Sequence, residues 1–152
     1  MQPLPHHYDV TVTAGKEGHA EIRSRGLSPV ISAPPSEFDG PGNLWSPETL
    51  TVGAVADCLV LTFRALANAS KLNWTTMVCD AKGAVDRSDG SIRFTAIQLH
   101  ARLLLPAGGD REKAYRLLEK AEKACLVGNS LKFQPTLEAD VTFEEPALAP
   151  SA

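Results

Sequence analysis

The sequence has few cysteines, and none of them forms a C-x-x-C motif. Its three cysteines, Cys58, Cys79 and Cys125, are widely separated along 152 residues. An odd number at this spacing does not resemble the disulfide framework of a small secreted domain. We therefore expect reduced thiols in a cytoplasmic protein.

Histidines and the common catalytic loops are equally scarce. The four histidines occupy positions 6, 7, 19 and 100, and no H-x-x-x-H spacing occurs. Ligands for a zinc ion would have to come from scattered positions, so we expect no metal site and no cofactor. The chain also lacks a G-x-x-x-x-G-K-[ST] loop and a G-x-S-x-G turn, which argues against a P-loop NTPase and an α/β-hydrolase.

The chain has no excess of basic charge. It carries 15 Lys and Arg against 18 Asp and Glu, a formal net charge of −3, so neither nucleic acid nor an anionic membrane is an expected partner. Met1–His7 does not have the pattern of a signal peptide. The one long apolar run, Leu50–Leu66, contains Asp57 and Arg64. It is also shorter than the ~20 residues that span a membrane, so we expect a buried helix.

The patterns that are present predict one α+β domain with antiparallel sheets. A chain of this length is typical of a single domain, which we place at residues 1–143, followed by a polar tail at 144–152. A loop rich in proline and glycine is expected at Gly26–Gly42. The β-rich stretches that predict strands are Tyr8–Thr13, His19–Arg25, Thr75–Arg87, Ser91–Leu105 and Gln134–Phe143.

Two helices are predicted, one apolar and one amphipathic. Ser46-Pro47-Glu48 is a strong helix start, and the first helix should extend from Pro47 to about Ser70. Because it is apolar on nearly all sides, we expect it to be covered on most of them, and a second subunit is a natural source of that cover. Asp110 should cap the second helix, whose apolar stripe is Ala114, Leu117, Leu118, Ala121 and Ala124.

The three cysteines differ in what their sequence positions allow. Cys58 has no cationic residue within one helical turn, so it is either inert packing or a shielded nucleophile. Cys79 shares one face of a predicted strand with Ala81 and is interpreted as core. Cys125 lies where the second helix ends, and unpaired backbone groups at a helix boundary can make a thiol reactive.

Two segments resemble the signatures of the OsmC/Ohr family of osmotically inducible and organic hydroperoxide resistance proteins. Ser46–Leu50, continuing to Ala56–Cys58, is similar to the family's Asn-Pro-Glu-Glu-Leu…Ala-Ala-Cys motif. Lys123–Leu131 is similar to its second motif, which usually contains Ala-Cys-Pro-Val-Ser. The interval between the motifs and the order of elements also agree, so the resemblance covers nearly the whole chain.

The resemblance implies an intertwined homodimer with long central helices and two active sites at the subunit interface. Cys58 would attack an organic hydroperoxide and become a sulfenic acid, Cys125 would resolve it to a disulfide, and an external dithiol would reduce that disulfide. Glu48 is also implied in the site. Ten helical residues rise ~15 Å, so Glu48 must act across an interface or through an intermediary. Its alternative role is to favour the helix dipole.

The chain departs from the family at the residue that activates the thiolate. The family uses an Arg in a Gly-Gly-Arg turn or an Arg before Phe, whereas the corresponding segments here are Ala14–Lys16 and Glu37–Phe38. Lys16 is therefore the first candidate for the activator, and Arg23 and Arg25 are other candidates, with the alternative role of solvated strand residues. Asp57 beside Cys58 would raise the pKa of that thiol if its carboxylate lay near the sulfur.

Two other functions remain open from the sequence. The first is a non-catalytic module of the same fold that binds a small hydrophobic ligand at the dimer interface. The second is a structural disulfide between Cys58 and Cys125, which a reducing compartment disfavours.

Overall fold

The computed structural model describes residues 2–145 and divides at position 51 into two compact units. Residues 2–51 contain a small sheet and the first turn of the long helix. Residues 52–145 contain the rest of that helix, a second sheet and two further helices. Most of the predicted polar tail, from position 146 onward, lies outside the described residues.

The first unit is built on a three-stranded antiparallel sheet. Strands β1 (Thr11–Ala14), β2 (Ala20–Arg23) and β3 (Val30–Ser32) pair in that order, which confirms the predicted hairpin with shorter strands. β3 falls inside the segment predicted as loop, because Val30 and Ile31 favour extended backbone before two prolines end the strand. A 3₁₀ turn at Ser36–Phe38 follows.

Helix α1 begins and ends close to its predicted positions, at Pro47–Ala69. Its start is stabilised by a reciprocal cap. The Thr49 backbone N–H donates to Ser46 Oγ at 3.1 Å, and the Ser46 N–H donates to Thr49 Oγ1 at 2.8 Å. Two otherwise unpaired donors at the helix terminus are thus satisfied.

The two faces of α1 are covered very differently. Its buried residues follow one another at intervals of four, a single stripe toward the core. Leu61 on another face is 41% exposed, and Asp57 and Arg64 are exposed as well. The single chain therefore covers only one side of this helix. The sequence predicted cover on most sides, with a second subunit as a natural source of it, and that part stays a prediction. The stripe consists of Val55, Leu59, Phe63 and Ala67.

By length and composition, α1 is also a helix that could cross a membrane, within the part of the chain that the structure describes. Core helices of soluble proteins meet the same criteria. The buried stripe of α1 packs against protein, and the helix carries three charged residues, Glu48, Asp57 and Arg64.

The second sheet is formed by β4 (Thr76–Ser88), β5 (Ser91–Leu105) and β6 (Thr136–Phe143), in that order. β4 and β5 form the predicted hairpin around Asp89 and Gly90, whose φ angles of 50° and 76° are those of a two-residue hairpin turn. The register shifts between Ala84 and Val85. This bulge explains why the apolar parity of β5 changes along the strand.

β6 differs from the predicted topology because it is parallel to β5. The expectation of antiparallel sheets holds for β4–β5 and for the first unit, but not for this pair. Helices α2 (Arg111–Ala124) and α3 (Leu126–Asn129) connect β5 to β6. A helical crossover returns the chain to the starting end of β5, and the next strand must then pair in parallel.

The core of the second unit lies between α1, α2 and the sheet. Asp110 caps α2 as predicted, accepting the Lys113 N–H at 2.9 Å. Ala124 is exposed, although the predicted stripe included it. Phe63 packs edge-on against Trp74, with ring centroids 5.6 Å apart. The buried side chains of β5 and α2 are Ile97, Leu99, Ala101, Leu103, Leu105, Ala114, Leu117, Leu118 and Ala121.

Candidate active site

Cys58 lies in the middle of α1 and is half-buried. Its neighbour one turn later is Thr62, whose Oγ1 is 4.0 Å from the Cys58 Sγ. The sulfur therefore belongs to the helix face next to the buried stripe, where a partly exposed thiol can meet a substrate.

Cys125 is located between α2 and α3 and is only 4% exposed. Its sulfur accepts the Gly128 backbone N–H at 3.4 Å, and its thiol points to the Val55 carbonyl oxygen at 3.9 Å. Val55 is three residues before Cys58 on α1. The structure thus brings the two predicted redox cysteines together, and both are free thiols.

The surroundings of Cys58 favour its thiolate. Burial opposes ionisation, but it is outweighed by the Val127 backbone N–H, the Cys125 thiol, the Thr62 hydroxyl and the Leu126 N–H, so the pKa of Cys58 is below its ordinary value. Hydrogen bonds to the charged form of a group stabilise that form. Neutral donors therefore do for Cys58 what a nearby cation does at other reactive cysteines.

Cys125 is shifted in the opposite direction. Burial raises the pKa of Cys125 to about 11, the Gly128 N–H opposes that rise, and the adjacent Cys58 adds to it. Two neighbouring acids rarely ionise together, because the second charge would repel the first. The pair therefore has one thiol suited to act as a nucleophile and one that stays protonated beside it.

The donors on α3 were not identified from the sequence, where Val127–Asn129 was interpreted only as the end of a helical pattern. Gly128 is needed there for space. A Cβ at this position would lie 3.3 Å from the Cys125 Sγ and 3.5 Å from Pro135 Cγ. Gly128, three residues after Cys125, was the signal in the sequence that a backbone segment approaches the sulfur closely.

Asp57 and Cys79 take no part in the thiol pair. Asp57 is exposed, and no charged side chain contributes to the shift of Cys58. Asp57 and Arg64 form no ion pair within residues 52–145. Burial, together with the charge of Asp80, raises the pKa of Cys79, which suits its predicted role in the core.

Glu48 lies in the first turn of α1, ten residues before Cys58. Its Oε2 is buried and has no hydrogen-bond partner within residues 2–145. Lys16 is exposed between β1 and β2. The catalytic role of Glu48 and the activating role of Lys16 stay predictions.

A cavity of about 440 Å³ lies within the first unit. Its lining is mostly apolar, and Glu48 is one of the few groups in it that can carry charge. A cavity of this size and character can hold a small organic molecule. The other residues that define it include His19, Ala33, Pro34, Pro35 and Phe38.

The outer face of the second sheet carries a row of charged side chains. His100 Nε2 is 2.7 Å from Asp140 Oδ2, and Arg102 pairs with Asp80. These groups are exposed to solvent, where ion pairs contribute little to stability. Within residues 2–145, no three His, Cys, Asp or Glu side chains are grouped so that they could hold a metal ion.

Comparison with known sequences establishes the family. The model of the family described as OsmC-like protein matches residues 40–140, more than half of the chain, so the protein belongs to this family. A relative is the uncharacterized protein YmaD of Bacillus subtilis, which is 26% identical over 126 residues, or 81% of this chain and 83% of YmaD.

Solved structures show the same fold. An OsmC-like protein of unknown function from Vibrio cholerae has a TM-score of 0.82 at 15% identity, covering 90% of this chain and 100% of that one. An organic hydroperoxide resistance protein from Elizabethkingia anophelis, with thiocyanate bound, has a TM-score of 0.73 at 21% identity, covering 95% and 100%. The α+β architecture is therefore the OsmC/Ohr fold.

Proposed function

We propose that the protein is a thiol peroxidase that reduces organic hydroperoxides. The observation that carries the proposal is the pair of adjacent free thiols with opposite pKa shifts, Cys58 lowered and Cys125 raised. Membership in the OsmC-like family supports it. So do the names of structural neighbours from Elizabethkingia anophelis and Legionella pneumophila, each of which is called an organic hydroperoxide resistance protein.

The reaction has three balanced steps. The Cys58 thiolate attacks one oxygen of ROOH, the O–O bond breaks, and with one proton from solvent the products are Cys58–SOH and ROH. The Cys125 thiol then condenses with Cys58–SOH, forming the S–S bond and releasing water. An external dithiol finally reduces the disulfide by exchange and leaves as its own disulfide, which restores both thiols.

The second step is assisted by the first. Part of the rise in the pKa of Cys125 comes from the neighbouring Cys58. Oxidation converts the Cys58 thiolate to a neutral sulfenic acid, so the charge that opposes ionisation of Cys125 is removed. The resolving thiol thus becomes a better nucleophile once there is a sulfenic acid to attack.

The protein is proposed to act as a cytoplasmic homodimer in which α1 packs against its counterpart. Support comes from the incompletely covered apolar helix, on which Leu61 is 41% exposed. The buried, unpartnered Glu48 Oε2 is likewise suited to meet a group outside its own chain. Analytical ultracentrifugation that found only monomer at micromolar concentration would contradict this part of the proposal.

The activity is tested with cumene hydroperoxide and dithiothreitol as the artificial dithiol. The wild-type protein and the Cys79→Ser control should consume peroxide at similar rates, whereas Cys58→Ser should abolish turnover. Cys125→Ser should still form one sulfenic acid per chain, which dimedone labels. The proposal would be wrong if the wild type and Cys58→Ser consumed the hydroperoxide at equal rates, or if the wild type consumed none.

Glu48 has a matched control in Glu112, since each is an acid in the first turn of its helix. If Glu48 belongs to the catalytic site, Glu48→Gln should lower peroxidase activity at least tenfold. Glu112→Gln should leave the activity unchanged and lower the free energy of unfolding by only a few tenths of a kcal/mol, the contribution of the helix dipole. Similar, small effects of both substitutions would assign Glu48 to the dipole alone.

A second candidate function is binding of a small hydrophobic ligand without catalysis. The mostly apolar cavity of about 440 Å³ favours it. This function predicts that Ala33→Trp, which fills the cavity, abolishes binding of a fluorescent apolar probe such as 1-anilinonaphthalene-8-sulfonate. It also predicts that hydroperoxide leaves the thiols unchanged, whereas a peroxidase forms the disulfide.

A further inference from the structure

The hydroxyl of Thr62 is placed unlike the other helical hydroxyls of this chain. Thr and Ser inside helices commonly donate to the carbonyl one turn earlier. Thr51 does so to Pro47 at 2.7 Å. Ser130, which directly follows α3, donates in the same way to Leu126 at 2.9 Å. The Thr62 Oγ1 instead faces the Cys58 Sγ at 4.0 Å. Within residues 52–145 it makes no hydrogen bond to the Cys58 carbonyl.

The surroundings of Cys58 make the Thr62 hydroxyl a candidate hydrogen-bond donor to the sulfur. The other donors to the sulfur are the N–H groups of Leu126 and Val127 and the Cys125 thiol. No Arg or Lys of residues 52–145 donates to it. A hydroxyl rotates to suit its partner, whereas a backbone N–H cannot. Catalytic hydrogen bonds are often long in the resting state and shorten as charge develops, so 4.0 Å to a neutral thiol is a plausible starting distance.

We propose that Thr62 is a further catalytic residue of the peroxidatic site, because its hydroxyl donates to the Cys58 thiolate in place of a cationic side chain. The inference rests on the proposed peroxidase function. The titratable group that faces Cys58 from the packed α2–α3 segment is Cys125, and the charged residues nearest on α1, Asp57 and Arg64, are exposed. Thr62 is thus the side-chain hydroxyl that α1 itself brings to the reacting atom.

The test removes the hydroxyl and follows the Cys58 thiolate without peroxide. Thr62→Val keeps the shape of the side chain, Thr62→Ser keeps the hydroxyl, and Thr51→Val is the control on the same helix. Iodoacetamide alkylation of Cys58 is followed across pH 5–10 by peptide mass spectrometry. We expect Thr62→Val to lower the alkylation rate at pH 7 about threefold to tenfold. Thr62→Ser should restore most of the rate, and Thr51→Val should leave it unchanged.

The outcomes separate this inference from the proposed function. If Thr62→Val and Thr51→Val titrate like the wild type, the hydroxyl does not serve the thiolate and the inference is overturned. If the wild type consumes no hydroperoxide while Thr62→Val still shifts the titration, the peroxidase fails and the hydrogen bond stands. Thr62→Ala, a second variant without the hydroxyl, repeats the test should the valine disturb folding, which thermal unfolding would reveal.

Discussion

The two cysteine-bearing segments of this protein place neighbouring thiols in opposite chemical states. Cys58 sits half-buried on a long helix and is surrounded by donors, and its pKa is lowered. Cys125 lies at a break between two helices, is almost fully buried, and has a pKa of about 11. Burial acts on both sulfurs. Cys58 is less buried and has more donors, and its charge raises the pKa of Cys125, so Cys58 is the thiol that ionises first.

This difference shows how neutral hydrogen-bond donors can lower the pKa of a thiol. The family resemblance implies an arginine that the corresponding segments, Ala14–Lys16 and Glu37–Phe38, do not contain. The backbone of α3 and a hydroxyl of α1 supply donors instead. Because a hydrogen bond between a neutral donor and a thiolate is weaker than an ion pair, we expect the lowering of the Cys58 pKa to be modest.

The largest expected effect on stability comes from removing the core packing of the helix that carries Cys58. Phe63 is fully buried and packs against Trp74. Phe63→Ala should lower the free energy of unfolding by about 3–5 kcal/mol, because it leaves a cavity under α1. Urea denaturation measures this. The control is Val85→Ala on a side chain that is 41% exposed, and equal losses would show that the buried stripe does not hold α1.

The next effect concerns the Cys125 segment and pH. Its folded pKa, about 11, is above the unfolded value, so the protonated thiol stabilises the fold fully below pH ~8.5 and this contribution is lost as pH rises through 11. The contribution is about 3 kcal/mol, because each pKa unit corresponds to about 1.4 kcal/mol. Urea denaturation of the wild type should therefore show a steeper loss of stability between pH 8.5 and 11 than Cys125→Ala. Parallel pH curves for the two proteins would contradict the raised pKa.

The contrast between the two thiols can be read directly from their alkylation. At pH 8 the thiolate fraction of Cys58 should exceed that of Cys125 by at least about a hundredfold, because the pKa of Cys58 is below its ordinary value and that of Cys125 is about 11. A thiolate of lower pKa is intrinsically less nucleophilic, so the ratio of rates should be nearer tenfold. Iodoacetamide labelling with peptide mass spectrometry measures it. Labelling of Cys125 first would reverse the assigned roles.

The smallest effect tests the anchoring of the Cys125 segment by its helix cap. Asp110 accepts the Lys113 N–H at 2.9 Å. Asp110→Ala should cost about 1 kcal/mol of stability, whereas Asp110→Asn keeps the cap and should cost a few tenths. Thermal unfolding distinguishes the two. A loss from Asn as large as that from Ala would mean that the charge, rather than the hydrogen bond, is what matters.

Several parts of the fold could be predicted because their signals are local. The start of α1 follows from Ser46 and Pro47, and the β4–β5 hairpin from Asp89–Gly90. Strand β5 bulges at Thr95, opposite Ala84 and Val85, close to the point where its apolar parity changes. The parallel pairing of β6 could not be predicted in this way, because it depends on where the crossover of α2 and α3 leaves the chain.

The candidate site likewise has features that the sequence predicts and features that only the tertiary structure determines. Cys58, Cys125 and the family were accessible from the sequence alone, because residue types and their spacing are written along the chain. Thr62 is one helical turn after Cys58, so its place near that thiol follows from the predicted helix. The proximity of the two sulfurs and the directions of the Leu126 and Val127 N–H groups were decided only by tertiary structure. Those donors belong mostly to the backbone, which every residue carries, so no residue type reveals them until packing aims them at a sulfur.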